Sequence, residues 1–103
     1  MDMIKDIKYY LVNKNNLKIY LYIDEGDFNI EYVKDISGNK VERGNGFVSL
    51  DNILYVYKTM DSNELLSFLL YKYNNNENSF KLIDKELKKY GLELNIDEWE
   101  EYN

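Results

Sequence analysis

Asp24, Glu25, Asp27 and Glu31 place four carboxylates within eight residues, with no Lys or Arg among them. Oxygen ligands of this kind could hold a hard cation such as Ca²⁺ or Mg²⁺. The spacing departs from the EF-hand calcium loop, which needs further acids and a closing glutamate. Two other readings rank above metal. One is a contact patch for Lys or Arg on a partner; the other is a solvated hairpin tip whose charges guard a sheet edge. A second acidic run, Glu93, Asp97, Glu98, Glu100 and Glu101, lies between Gly91 and Asn103, again without a base. It surrounds the single tryptophan, Trp99, and is followed by Tyr102. Trp and Tyr are over-represented among interface hot spots, and charges around them steer encounter. The competing reading folds Trp99 back beneath the core while its neighbours stay wet. Together the two stretches hold nine of the nineteen acids in the chain.

A third candidate is aromatic. Tyr20 and Tyr22 point away from the apolar side of one strand, with Tyr32 nearby on the next. If helices cover the apolar side, the tyrosines lie on an open sheet face, which would serve as an interaction platform. If the first segment is a helix laid over that face, the sheet is covered on both sides.

Other chemistries lack their residues. The chain has no Cys and no His, which removes disulfides, thiolate or imidazole metal sites and every Ser-His-Asp type triad. A carboxylate pair could in principle hydrolyse a glycoside, but that needs a deep cleft which a few strands and helices seldom provide. Gly38, Gly44 and Gly46 match neither phosphate-binding fingerprint. Lys81, Lys85, Lys88 and Lys89 are interspersed with Asp84 and Glu86 and read as a solvated helix face. The basic groove needed to stack single-stranded bases is therefore missing. The expectation is a non-enzyme with no metal and no cofactor.

Composition sets the frame for these sites. A chain of 103 residues, 45% apolar or aromatic and 31% charged, has the make-up of one domain with one modest core. Tyrosine is the anomaly, with 11 residues against 4 Phe and 1 Trp. A tyrosine ring is worth burying, yet its hydroxyl needs a partner; the competing explanation is an AT-rich codon bias. The net charge of −6 and pI near 4.6 disfavour direct binding to nucleic acid and favour basic partners or plain solubility. The N-terminal Met-Asp-Met-Ile-Lys-Asp-Ile lacks the basic region and apolar run of a signal peptide. The longest apolar runs, Ile19 to Ile23 and Ile53 to Tyr57, are five residues long. A cytoplasmic protein without membrane contact is expected.

The elements follow from periodicity. Residues 3–12 place Ile4, Ile7 and Leu11 at helical spacing behind Asp2, although Ile7, Tyr9 and Leu11 also alternate; helix is preferred. Leu17, Ile19, Leu21 and Ile23 alternate with Lys18, Tyr20 and Tyr22, the clearest strand of the chain. Asp24-Glu25-Gly26-Asp27 turns it into a second strand from Phe28 to Lys34, with Gly26 supplying the positive φ. Ser37-Gly38-Asn39 turns again into Lys40 to Arg43. Gly44-Asn45-Gly46 reads as a break, after which Phe47-Val48 extends the sheet. From Ser49 the period becomes helical. Leu50, Ile53, Leu54 and Tyr57 share one face. Asp61 with Glu64 resembles a capping box ahead of Leu65, Leu66, Leu69, Leu70 and Tyr73. Past the Asn-rich loop at 74–78, Ser79 caps Phe80, Ile83, Leu87 and Tyr90, and Gly91 stops that helix. Leu92, Leu94 and Ile96 alternate as a short strand, and the C-terminus reads as one helical turn.

The fold class is therefore α+β: one domain over 1–103, with a small antiparallel sheet of about three or four strands and three to four helices packed on it. The functional expectation is a small acidic inhibitor that occludes a basic, nucleic-acid-binding surface of a larger protein such as a nuclease. Its contact residues would be Tyr20, Tyr22, Asp24, Glu25, Asp27, Glu31, Glu98, Trp99, Glu100, Glu101 and Tyr102. Phage anti-CRISPR proteins and toxin-immunity proteins resemble it in physical type, with no shared motif. The alternative is a structural or adaptor module, monomeric or a homodimer joined through a sheet edge or the leucine-rich helices.

Overall fold

The computed structural model describes residues 7–102. Five strands run β1 (Tyr9–Lys14), β2 (Leu17–Asp24), β3 (Asp27–Ser37), β4 (Lys40–Ser49) and β5 (Asn95–Tyr102). They form one antiparallel sheet in sequence order, β1-β2-β3-β4-β5. Three helices, α1 (Leu50–Tyr57), α2 (Ser62–Tyr73) and α3 (Ser79–Lys89), lie between β4 and β5. The α+β class holds, with five strands where three or four were expected. Among the described residues, no helix is long and apolar enough to cross a membrane.

Each turn has a local cause. Glu25 (φ 49°) and Gly26 (φ 86°) both take positive φ, the two-residue hairpin geometry that matches strand twist. The Gly26 carbonyl also accepts from the Leu50 N–H at 2.9 Å, tying the hairpin tip to the start of α1. Asp61 accepts from the Glu64 N–H at 2.9 Å, and Glu64 accepts in turn from the Met60 N–H at 2.6 Å. Gly91 (φ 77°) ends α3; its N–H reaches the Lys88 carbonyl, and the Leu92 N–H reaches that of Leu87. This paired arrangement is the Schellman stop.

One face of the sheet meets all three helices. Ile19, Leu21, Phe28, Ile30 and Val48 from the strands join Ile53, Leu65, Leu69, Ile83 and Leu87 in a single buried cluster. Each fully buried aliphatic side chain contributes about 2 kcal/mol of transfer free energy.

Three expectations fail, each for a physical reason. Residues 9–14 are strand, not helix; Ile4 and Asp2 lie outside the described residues. A bulge between Tyr10 and Val12 lets both Leu11 and Val12 enter the core, which breaks the alternation that would have marked a strand. Gly44 and Gly46 do not interrupt β4. A Cβ at Gly44 would stand 2.1 Å from the Tyr32 ring, and one at Gly46 would stand 3.2 Å from Leu94. These glycines admit crossing side chains instead of turning the chain. The C-terminal run is strand and not a helical turn, paired with β4 from Asn95↔Phe47 to Tyr102↔Lys40.

Candidate functional site

The register sorts the acidic and aromatic residues by face. Opposite the helices, one cross-strand row reads Tyr10, Tyr20, Glu31, Asn45, Asp97. The next row toward the β2–β3 turn reads Tyr22, Asn29, Phe47, Asn95, and beyond it Asp24 pairs with Asp27. On the other side lie Lys18, Val33, Arg43 and Trp99, then Val41 and Glu101. Among the described residues, no element covers this face: Tyr10, Phe47 and Trp99 are each 36–39% exposed.

The hairpin acids and part of the C-terminal run thus share one surface. Neighbouring strands are about 4.8 Å apart, so Glu31 and Asp97, two strands apart in one row, lie roughly 10 Å from each other. Glu98 and Glu100 alternate onto the helix side, and Glu25 stands at the turn. Tyr102 is on the helix side of the edge, opposite Lys40.

Tyr20 is not the exposed platform residue that its alternation implies. It is 4% exposed, tilted against Tyr10 and Tyr22 at ring separations of 5.3 and 6.2 Å. The Lys8 ammonium sits 4.7 Å from its ring centre. Its hydroxyl donates to Glu31; burial, then this bond, push the phenol well above its ordinary range. Tyr22 is half-buried and accepts from the Asn45 amide at 3.1 Å. Tyr22, Asp24, Glu31 and Lys8 line a depression of about 360 Å³. One carboxylate oxygen of Asp24 is buried there without a hydrogen-bond partner. An unsatisfied carboxylate oxygen is costly to hide.

Between β4 and β5, Lys40 pairs with Glu100 and Arg43 with Glu101, both at 2.9 Å. The Trp99 indole N–H also donates to Glu101 at 2.9 Å; this bond first, and Arg43 after it, hold that carboxyl below its usual range. Glu98 accepts from the Tyr32 hydroxyl at 2.7 Å. Burial and this bond push the Tyr32 phenol up. Among the described residues, no group of three or more Asp or Glu side chains converges as metal ligands. A wider groove of about 680 Å³ opens on the helix side, where Lys34, Lys81, Asp84 and Glu98 mix both signs around Tyr32 and Phe80.

Sequence reasoning missed Tyr10, Phe47 and Arg43 as members of this surface, and knew Asp97 only as part of the C-terminal acidic run. Their signal was the strand register, which no single-strand alternation carries. It also missed Tyr55 on α1, Tyr71 on α2 and Met60 in the connection between those helices, each at least 85% exposed. No family model, curated protein or solved structure matches this chain.

Proposed function

We propose that this chain is a non-catalytic protein-binding inhibitor that covers a basic, nucleic-acid-binding surface of a larger protein, as anti-CRISPR and toxin-immunity proteins do. The observation that carries this reading is the uncovered sheet face. It sets Tyr10, Tyr22, Phe47 and Trp99 among Asp24, Asp27, Glu31, Asp97 and Glu101. Aromatic side chains there supply contact area at low conformational cost, and carboxylates around them stand where phosphates would otherwise sit on the partner. The depression lined by Tyr22, Asp24 and Glu31 offers a place for a Lys or Arg of that partner.

The test is capture of nucleic-acid-binding proteins from the host on immobilised chain at low and high salt. The captured protein must lose its nucleic acid when the chain binds. Binding should weaken as salt screens the charges. Asp27→Lys combined with Asp97→Lys, both clear of the core, should weaken it about ten-fold or more, equivalent to about 1.4 kcal/mol. Salt-insensitive binding, or unchanged affinity in the correctly folded double variant, would exclude charge-based occlusion.

A further inference from the structure

Resting on the binder reading, we infer that the free edge of β5 is a docking strand for a basic, extended segment of the partner, added to the sheet as a sixth strand. The two edges of the sheet differ. β1 is six residues long, carries the bulge at Leu11, and has its Leu11 carbonyl taken by the Asn75 N–H at 2.9 Å. That edge is blunted in the usual ways. β5 is eight residues long, pairs with β4 without a register shift, and is exposed along its whole length. Antiparallel pairing turns alternate backbone N–H and C=O groups of an edge strand outward. Among the described residues, those of β5 have only β4 as a strand partner, so the outward set forms a regular ladder ready for one more strand.

Charge selects the occupant. β5 carries Asp97 and Glu101 on the uncovered face and Glu98 and Glu100 on the helix side, with Trp99 between them. Lys40 and Arg43 neutralise Glu100 and Glu101 in part; neither Asp97 nor Glu98 forms an ion pair with a described residue. A second copy of this strand is a poor fit. Antiparallel self-pairing centred on Trp99 would set Glu98 opposite Glu100 and Asp97 opposite Glu101, and like charges directly opposite are destabilising. A segment with Lys or Arg at successive positions meets a carboxylate on either face, and an Arg or Lys beside Trp99 adds a cation–π contact.

The probe is a synthetic peptide of eight residues, the length of β5, with lysine pairs alternating with valine pairs so that each face carries lysines. Its control has the same sequence with every backbone nitrogen methylated, which keeps every charge and removes the N–H donors of both edges. The unmethylated peptide should bind, shift the amide resonances of Asn95–Tyr102, and bind about ten-fold or more tightly than the control. Glu98→Lys combined with Glu100→Lys should remove binding while the melting curve keeps its cooperative shape. Equal binding of both peptides would overturn the strand-addition inference and leave the acidic-binder reading standing. Failure of both peptides to bind at low salt would overturn the two together. Resonance shifts confined to Tyr22, Asp24 and Glu31 would move the basic segment to the open face and away from this edge.

Discussion

Gly44 and Tyr32 occupy one another's space. The Tyr32 ring crosses β4 where a Cβ would stand 2.1 Å from its Cε2 atom. The ring is not free to swing aside. It packs edge-on against Phe80 at 5.0 Å, and its hydroxyl is bound to Glu98. Gly44→Ala should therefore cost about 1–3 kcal/mol, in the range of overpacked cores, read as a lower urea midpoint with an unchanged slope. Tyr32→Leu should recover much of that loss in the double variant, since it removes the clashing atoms; simple additivity of the two costs would show that the ring is not what Gly44 accommodates. The polar counterpart is Glu86. It accepts from Tyr57 at 2.6 Å, Tyr73 at 3.0 Å and Lys72 at 2.7 Å, joining α1, α2 and α3 through one carboxylate. Glu86→Gln leaves these donors poorly matched and should destabilise by about 1–3 kcal/mol near neutral pH, measured by chemical denaturation.

The elements were legible in the sequence where a local rule sufficed. β2 follows from its strict alternation, the β2–β3 turn from Gly26, and the core face of α2 from Leu65, Leu66, Leu69 and Tyr73, all buried. What stayed hidden depended on partners distant in the chain. Leu11 enters the core only through a bulge against β2, and the strand character of 95–102 exists only because β4 lies beside it. An edge strand rich in Glu and Asp has little intrinsic preference to be one. The candidate site divides the same way: the acidic runs are visible in one dimension, but their meeting on a single face is not. Tyr20 is the instructive failure, since pointing away from the helices left it buried by Tyr10 and Tyr22 on its own face. Among local rules, the stop of α3 can be tested directly. Gly91 has φ 77° and nothing within 4 Å of an added Cβ, so its cost on substitution is purely conformational. Gly91→Ala should lose about 1 kcal/mol, and Gly91→Asn should lose less, because Asn tolerates the left-handed region. Equal losses in thermal melts would point to a contact and not to backbone geometry.

For the whole molecule, ionisation bounds stability on both sides. Burial alone would raise the Glu86 carboxyl, but the Lys72 ammonium and the Tyr57 and Tyr73 hydroxyls hold it below its ordinary value of 4.5. A carboxyl depressed in the folded state contributes stability that is present above its unfolded value and disappears as pH falls through the folded one. Acidification below about pH 4.5 should thus weaken the fold, and the gap between wild type and Glu86→Gln should close there. Tyrosines act with the opposite sign. Burial, followed by bonds to Glu31, Glu98 and Glu86, raises Tyr20, Tyr32, Tyr57 and Tyr73 above the ordinary value of 10.0. A raised folded value gives stability that is complete below the unfolded one and is lost as pH climbs through the folded one. Every phenolate formed also adds to a net charge already at −6, so self-repulsion grows in the same direction. Stability should be flat between about pH 5 and 9 and fall on either side. In an alkaline titration, the tyrosinate absorbance of these four should emerge together with loss of the far-ultraviolet circular dichroism. Ionisation of all the tyrosines with the dichroism intact would mean that the hydroxyl–carboxylate bonds do not hold the phenols neutral.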